Sequence, residues 1–253
     1  MNSSTLSRYL PPITKHLLII NVIMWIATMI LKSRDIDLDQ YLGLHYWRAS
    51  DFNPAQFFTY MFMHDSSSIH NGFMHLFFNM FSLWMFGSVI ERALSAKRYI
   101  FYYIACGIGA AIVQEIVWEV TWSGMFTSGL ADGAGNLIPA AQAKQMLDAG
   151  QLNYLLDSFY NELITVGASG AVFGILLAFG YLFPNMRMYI IPFPFPIKAK
   201  WVVIGYGLIE LTMGVTGRLD SIAHFAHLGG MIFGFIILLY WKKKRVIGNN
   251  GYM

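Results

Sequence analysis

The chain has 253 residues, of which 56% are hydrophobic and 12% are charged, and its mean hydropathy is +0.50. This balance excludes an ordinary soluble domain and is typical of a multi-pass membrane protein. The single cysteine, Cys106, excludes an internal disulfide, and the modest formal net charge of +3 gives no indication of a nucleic-acid partner. No small-residue cleavage site follows a short apolar core near the N-terminus, so we expect no cleaved signal peptide.

Six apolar segments meet or nearly meet the roughly 20 residues that a spanning helix needs. The first and fifth are short, and the third carries Glu115 and Glu119 toward its end. We therefore predict an all-α membrane protein, a single-domain bundle of six transmembrane helices over residues 1–253. The predicted spans are about 13–31, 72–90, 99–120, 164–183, 201–215 and 222–241.

The positive charges predict the orientation of this bundle. If the N-terminus is cytoplasmic, 12 of the 17 Lys and Arg residues lie on the cytoplasmic side, including the run Lys242-Lys243-Lys244-Arg245. Cytoplasmic loops of membrane proteins are enriched in Lys and Arg. We therefore expect both termini in the cytoplasm.

Two long connections then lie on the outer side. Residues 32–71 are rich in aromatic side chains, which predicts a loop lying in the membrane interface. In residues 121–163, the stretch from Pro139 to Tyr160 suits an exposed or interfacial helix.

Three polar residues lie at one predicted depth in the membrane. His75, Ser169 and His227 each follow shortly after the outer end of a predicted span, the second, fourth and sixth. At 1.5 Å per residue they lie roughly 5–10 Å below the outer surface. Polar groups are costly in the hydrocarbon, so these residues are candidates for a functional site.

Ser169 and His227 each have a structural and a functional interpretation. Ser169 could simply bond back to its helix or pack a close helix contact, and His227 could be a buried, hydrogen-bonded histidine. The functional interpretation makes Ser169 a nucleophile at a helix N-terminus, where its own N–H can face a developing oxyanion, and His227 its general base. His224, nearer the surface on almost the same helix face, is the less favoured base.

Small residues flank both candidates at helical spacing. They would let the fourth and sixth helices approach closely and bring His227 to the serine. The predicted packing seam comprises Gly167, Gly170, Gly174, Gly230 and Gly234.

His75 and Asn79 are four residues apart and share a helix face. They could form a structural hydrogen-bonded pair. They could also be oxyanion donors, which acyl transfer requires, together with the N–H of Ser169.

The carboxylates and the remaining histidines suggest neither a triad nor a metal centre. Glu115, Glu119 and Glu210 could relay protons, but structural roles are favoured. No carboxylate is placed by spacing to complete a Ser-His-Asp triad, so a Ser-His dyad is the economical prediction. The sequence lacks His-Glu-x-x-His, and we expect neither a metal nor a cofactor.

The combination of these motifs resembles the rhomboid family of intramembrane serine proteases. The second segment carries His-x-x-x-Asn, Gly-x-Ser-Gly opens the fourth, and the sixth carries Ala-His-x-x-Gly-x-x-x-Gly. The resemblance covers about residues 56–240. The matching residues are His75, Asn79, Gly167, Ser169, Gly170, Ala226, His227, Gly230 and Gly234.

The resemblance implies a helical-bundle protease with a water-filled cavity open to the outer side. Ser169 would be the nucleophile and His227 the base, with Ser169 N–H, His75 and Asn79 forming the oxyanion hole. Substrates would be single-span transmembrane proteins, and the fifth helix would act as a gate. We expect a multi-pass protein in contact with membrane lipid, in a prokaryotic inner membrane, with the active site toward the outer side.

The sequence departs from the family pattern in its loops. The Trp-Arg pair that often precedes the second helix appears upstream, as Trp47-Arg48, where the aligned place reads Gln56-Phe57. The second histidine of the family could be His70 or His64. Two other functions stay open: a catalytically silent rhomboid-like binder of transmembrane helices and, less favoured, a small transporter.

Overall fold

The computed structural model describes residues 10–133, 135–189, 195–216 and 221–247, with the backbone alone for 221–223. Within these residues helices dominate, and four short strands form two two-stranded antiparallel sheets. In chain order the helices are α1 (Pro12–Lys32), α2 (Leu38–Leu42), α3 (Gln56–Thr59), α4 (Ile69–Leu94), α5 (Ala96–Ser128), α6 (Ala140–Asp148), α7 (Asn153–Glu162), α8 (Ser169–Leu182), α9 (Ala199–Thr216) and α10 (Ser221–Lys243). The strands are β1 (Leu44–His45), β2 (Ile164–Thr165), β3 (Arg187–Met188) and β4 (Ile197–Lys198).

Among the described residues, four helices are long and apolar enough to cross a membrane: α1, α4, α5 and α10. The apolar α8 has 14 residues, which correspond to about 21 Å of helix. The predicted helical membrane bundle is confirmed. The count of six spans and the cytoplasmic termini stay predictions, and Arg8 and Arg218, which entered the charge count, lie outside the described residues.

The predicted fourth and third spans differ most from the observed helices in their bounds. The fourth does not begin at residue 164, because Ile164 and Thr165 form β2, which pairs with β1, and the helix starts only at Ser169. The third does not end at residue 120, because α5 continues to Ser128. At 33 residues, or roughly 50 Å, α5 is longer than the ≈ 30 Å hydrocarbon core.

The aromatic loop between α1 and α4 is tied to the helices rather than lying wholly at the surface. Tyr46 and Tyr60 are buried, whereas Tyr41 and Trp47 are exposed. The hydroxyl of Tyr60 donates to the carbonyl of Gly107 on α5 at 2.7 Å. A buried tyrosine needs such a partner for its hydroxyl, so the loop is anchored to α5 by hydrogen bonds as well as by apolar packing.

The N-terminal helix is held by Glu91, which lies near the end of α4. Its carboxylate accepts the N–H groups of Ile13 and Thr14 at 2.9 and 2.7 Å, and also the Thr14 hydroxyl at 2.8 Å. A carboxylate at a helix N-terminus meets unpaired N–H groups and the positive end of the helix dipole. Glu91 therefore caps α1 and links it to α4.

The centre of the bundle is where α5, α8 and α10 pack together. Cys106 on α5 is fully buried, and its Sγ lies 2.5 Å from where a Cβ of Gly174 would be. A Cβ on Gly230 of α10 would overlap the backbone carbonyl of Gly170 on α8. The backbones of α8 and α10 therefore approach so closely that only glycine fits between them.

This approach predicts the effect of adding one methyl group to Gly230. Gly230→Ala should lower the free energy of unfolding by several kcal/mol, because the clash is with backbone and cannot be relieved by a side-chain rotation. The matched control is Gly205→Ala on α9, where nothing lies within 4 Å of the added Cβ. It should be neutral or stabilise by up to about 1 kcal/mol. Thermal unfolding in detergent compares the two, and equal midpoints would contradict the close contact.

Candidate active site

The turn before α8 presents Ser169 at the first position of that helix. Gly167 has a φ of +134°, a backbone conformation that side chains rarely adopt, and its N–H donates to the carbonyl of Tyr60 at 3.0 Å. A Cβ at Gly167 would also lie 3.1 Å from the imidazole of His75. The turn therefore requires glycine. It leaves Ser169 among backbone N–H groups that lack intrahelical partners.

His227 on α10 reaches Ser169 directly. Its Nε2 lies 2.8 Å from the Ser169 Oγ, within hydrogen-bonding distance. The ring of Phe173, one turn along α8 from the serine, stacks on the imidazole with centroids 4.3 Å apart and an interplanar angle of 8°. Phe173 therefore contacts the face of the His227 ring and Ser169 contacts its Nε2 edge.

The five glycines of the predicted seam lie in three different environments. Gly170, Gly174 and Gly230 lie at the α8–α10 contact, where a Cβ on Gly174 would be 3.1 Å from the Gly230 carbonyl. Gly234 instead faces Tyr102 and Cys106 on α5. Gly167 precedes α8 and faces His75, so it belongs to the turn and not to the seam.

A carboxylate lies next to His227, although the spacing in the sequence placed none there. The Oε2 of Glu210 on α9 is 2.9 Å from His227 Nδ1 and 2.6 Å from His224 Nδ1. Glu210 precedes the end of α9 by six residues, and His224 follows the start of α10 by three. Because α9 and α10 are antiparallel neighbours, these positions bring Glu210 and His224 to similar depths. Counting residues back from the end of α9 and forward from the start of α10 is the signal that could have located Glu210.

The two side chains predicted as oxyanion donors, His75 and Asn79, have different hydrogen-bond partners. His75 Nδ1 is 3.4 Å from the N–H of Asp65, which suits an accepting Nδ1 and places the ring proton on Nε2. The same ring contacts Gly167. Asn79 is buried, and its amide donates to the His75 carbonyl at 2.9 Å, which leaves its second N–H for another acceptor.

The neighbour of His75 is His64, not His70. The rings of His64 and His75 are 5.2 Å apart, and His64 is fully buried, whereas His70 lies exposed in the first turn of α4. Both ring nitrogens of His64 lack a hydrogen-bond partner. Burial, with a smaller contribution from His75, lowers the pKa of His64 to about 3, so this ring stays neutral at ordinary pH.

Within the part of the chain that the structure describes, Glu210, His224 and His227 form a group that could hold a metal ion, since their ligand atoms all lie within 4.8 Å of one another. The two histidine–carboxylate distances, 2.6 and 2.9 Å, are those of hydrogen bonds. Two ligands of a tetrahedral zinc ion would stand about 3.4 Å apart, given bonds of about 2.0–2.1 Å. The geometry therefore favours a shared carboxylate over a metal centre.

The comparison with known proteins now agrees with the geometry. The profile of the Rhomboid domain matches residues 45–244. The chain belongs to the rhomboid family. It is 26% identical over 178 residues to the mitochondrial Rhomboid protein 1 of Saccharomyces cerevisiae. The aligned region is 70% of this chain and 41% of that protein.

Two bacterial relatives are named as proteases. The rhomboid protease AarA of Providencia stuartii is 27% identical over 178 residues, 68% of this chain and 52% of AarA. The rhomboid protease GluP of Bacillus subtilis is 26% identical over 168 residues, 66% of this chain and 23% of GluP. The chain thus spans about half or less of the length of these relatives. Because eukaryotic and bacterial proteins both match, the prokaryotic inner-membrane location stays a prediction.

The Trp47-Arg48 pair of this rhomboid anchors the first loop to α5, although it lies upstream of the place where the family has its Trp-Arg pair. The indole of Trp47 donates to Glu119 on α5 at 2.8 Å, the Arg48 guanidinium pairs with the same carboxylate, and the Tyr46 hydroxyl donates to it at 2.5 Å. Gln56, which occupies the aligned place, is buried and accepts the N–H of His45 at 3.3 Å. Trp47 and Arg48 therefore hold the first loop against α5, whereas Gln56 bonds to residues within the loop. Glu119 has the structural role that the sequence favoured.

An apolar groove of about 750 Å³ borders the site of this rhomboid. It runs between α4, α8 and α9, and Phe173, which stacks on His227, forms part of its wall. Aromatic and aliphatic side chains make up most of its lining, so the groove suits an apolar segment of chain. Its walls include Phe78, Phe81, Met85, Leu176, Val202 and Tyr206.

His64 predicts a pH dependence of stability. Its pKa is lowered in the folded state, so the unfolded state binds the extra proton between about pH 3 and its ordinary value near 6.5. Stability should therefore rise with pH across that window, by up to about 1.4 kcal/mol per pH unit from this group. His64→Leu should remove that contribution.

The measurement is the unfolding free energy in detergent at several pH values between 4 and 7. His64→Leu should gain stability relative to the wild type as the pH falls. The exposed His70→Leu, the matched control, should follow the wild type. A pH-independent difference between His64→Leu and the wild type would contradict the prediction.

Proposed function

We propose that this rhomboid is an active intramembrane serine protease that hydrolyses peptide bonds in or next to the spans of single-span membrane proteins. The observation that carries the proposal is the 2.8 Å contact between Ser169 Oγ and His227 Nε2. A nucleophile and a base within hydrogen-bonding distance are the requirement for activating a serine hydroxyl. The names of the bacterial relatives agree with this activity.

The reaction follows from the atoms present. His227 Nε2 takes the hydroxyl proton while Ser169 Oγ forms a bond to the scissile carbonyl carbon. The carbon–nitrogen bond then breaks, the leaving nitrogen receives the proton from Nε2, and an ester links the substrate to Ser169. Water, deprotonated by the same nitrogen, hydrolyses the ester and returns the proton to Ser169.

Three donors surround the place of the developing oxyanion. The N–H of Ser169 lies at the start of α8, His75 presents the proton of Nε2 on the Gly167 side, and Asn79 retains a second amide N–H. Donors held in place before the reaction cost no reorganisation when charge develops. We assign the oxyanion hole to these three groups.

The groove supports the substrate class. Its apolar walls would receive one face of a transmembrane helix, and Phe173 connects them to the base. A substrate must unwind locally to present its carbonyl to Ser169, because helical carbonyls are engaged in hydrogen bonds. Lipid surrounds the remaining outer faces, and we propose a prokaryotic inner membrane with the active site toward the outer side.

Removal of either reacting side chain should abolish cleavage of a membrane-anchored reporter. Ser169→Ala and His227→Ala should each lower kcat by about 10⁴-fold or more, as in other serine proteases where the nucleophile and base act as a unit. A gel assay in proteoliposomes, with the reporter span in the same vesicles, measures this loss.

The matched controls are Ser128→Ala, at the exposed end of α5, and His70→Ala, in the exposed first turn of α4. Both should cleave like the wild type. A fluorophosphonate probe should label the wild type but not Ser169→Ala. A wild type that binds transmembrane helices but neither cleaves nor labels would instead indicate the silent binder.

Asn79→Ala tests the oxyanion hole. Loss of one such donor should reduce kcat by about 10²-fold with little change in KM, because the interaction strengthens only in the transition state. Asn71→Ala, on an exposed position of the same helix, is the control and should have wild-type kinetics. An unchanged kcat in Asn79→Ala would exclude this residue from the oxyanion hole.

A further inference from the structure

The Ser169–His227 pair alone does not explain why a buried carboxylate, that of Glu210, contacts two imidazoles beside it. It is the single acidic residue in the sequences of α8, α9 and α10, and it is buried, with 7% of its surface exposed. A carboxylate within an apolar bundle is costly unless its oxygens are hydrogen-bonded. Here the cost is offset by two imidazoles on the neighbouring helix, those of His224 and His227.

We infer that Glu210 is a positioning residue for His227, the third member of a Ser169–His227–Glu210 arrangement built across α8, α10 and α9. The inference rests on the proposed protease activity. The three side chains form an unbroken series of hydrogen-bonding contacts. The Glu210 carboxylate lies 2.9 Å from Nδ1 of His227, and Nε2 of the same ring lies 2.8 Å from the Ser169 Oγ.

The carboxylate determines which nitrogen of His227 carries the proton. An ionised carboxylate only accepts hydrogen bonds, so the Nδ1 that faces it must be protonated. The lone pair of a neutral His227 is then on Nε2, which faces the Ser169 hydroxyl. Without Glu210, the opposite tautomer would also be populated, and in that form the ring cannot accept the serine proton.

The same carboxylate stabilises the charge that forms during the reaction. When Nε2 takes the proton of Ser169, the imidazole becomes a cation with Glu210 at hydrogen-bonding distance from its other nitrogen. In the water-poor interior this electrostatic contribution is larger than at a surface. His224 donates to the same oxygen and so limits the rotation of the carboxylate.

Glu210 also makes α9 part of the active site. Tyr206 lies one turn before Glu210 on α9 and forms a wall of the apolar groove. The helix that bounds the groove is therefore the helix that orients the base. A displacement of α9 that widens the groove would also withdraw the carboxylate from His227.

The test compares Glu210→Gln, which keeps the size of the side chain and removes its charge, with Glu210→Asp, which keeps the charge on a shorter stem. Full-length variants are assayed in proteoliposomes. Glu210→Gln should lower kcat by about 10²-fold or more with KM nearly unchanged, and should slow fluorophosphonate labelling of Ser169 in parallel. Glu210→Asp should recover a substantial part of kcat. Thr212→Val, on an exposed position of α9, is the matched control and should have wild-type kinetics.

Two results would overturn the inference. Wild-type kcat and labelling in Glu210→Gln would show that the carboxylate does not act through His227. A loss explained entirely by a lower unfolding temperature, and not recovered in Glu210→Asp, would show a purely structural role. In both cases an active wild type and an inactive Ser169→Ala leave the proposed protease function intact.

A measurement without turnover keeps the inference testable even if the wild type does not cleave. In protein labelled with ¹⁵N-histidine, the His227 signals, assigned with His227→Ala, should show the Nδ1-protonated tautomer in the wild type and a mixture in Glu210→Gln. Identical tautomer populations would overturn the inference. Activity that is lost with a chelator and restored by Zn²⁺ would also overturn it, since Glu210 would then be a metal ligand.

Discussion

The close approach of α8 and α10 is the contact on which the candidate active site depends. Gly170 and Gly230 meet backbone to backbone, and a single methyl group on Gly230 would not fit. Because both helices are rigid, this contact determines how far His227 lies from Ser169. A separation larger by 1 Å would turn the 2.8 Å contact between the proposed base and the proposed nucleophile into one too long for proton transfer.

The groups around this contact compensate for the cost of placing polar atoms within an apolar bundle. Glu210 is hydrogen-bonded to two imidazoles, and Asn79 to the backbone of its own helix. His64 is the exception, because both its ring nitrogens are buried without a hydrogen-bond partner. It remains neutral and packs against His75, and a charged ring there would repel the protonated form of His75.

The first loop and the turn before α8 form one unit. β1 pairs with β2, the carbonyl of Tyr60 accepts the N–H of Gly167, and Trp47 with Arg48 ties the loop to α5. These bonds hold the short segment that delivers Ser169. They also explain why the helix does not begin earlier: Ile164, Thr165 and Gly167 pair with the loop, so α8 starts at the serine itself, with Ala168 as its N-cap.

The sequence by itself determined the class of protein, the six apolar segments and the residues at which the family resemblance lies. Hydropathy and helical spacing are local properties, so they place Ser169, His75 and His227 near one depth without reference to the fold. Only the tertiary structure decided that Glu210 faces His227, that His64 rather than His70 contacts His75, and that Gly167 belongs to a turn. These facts depend on how separate helices and loops are rotated and displaced against one another, and such packing follows from the summed contacts of residues distant in the chain.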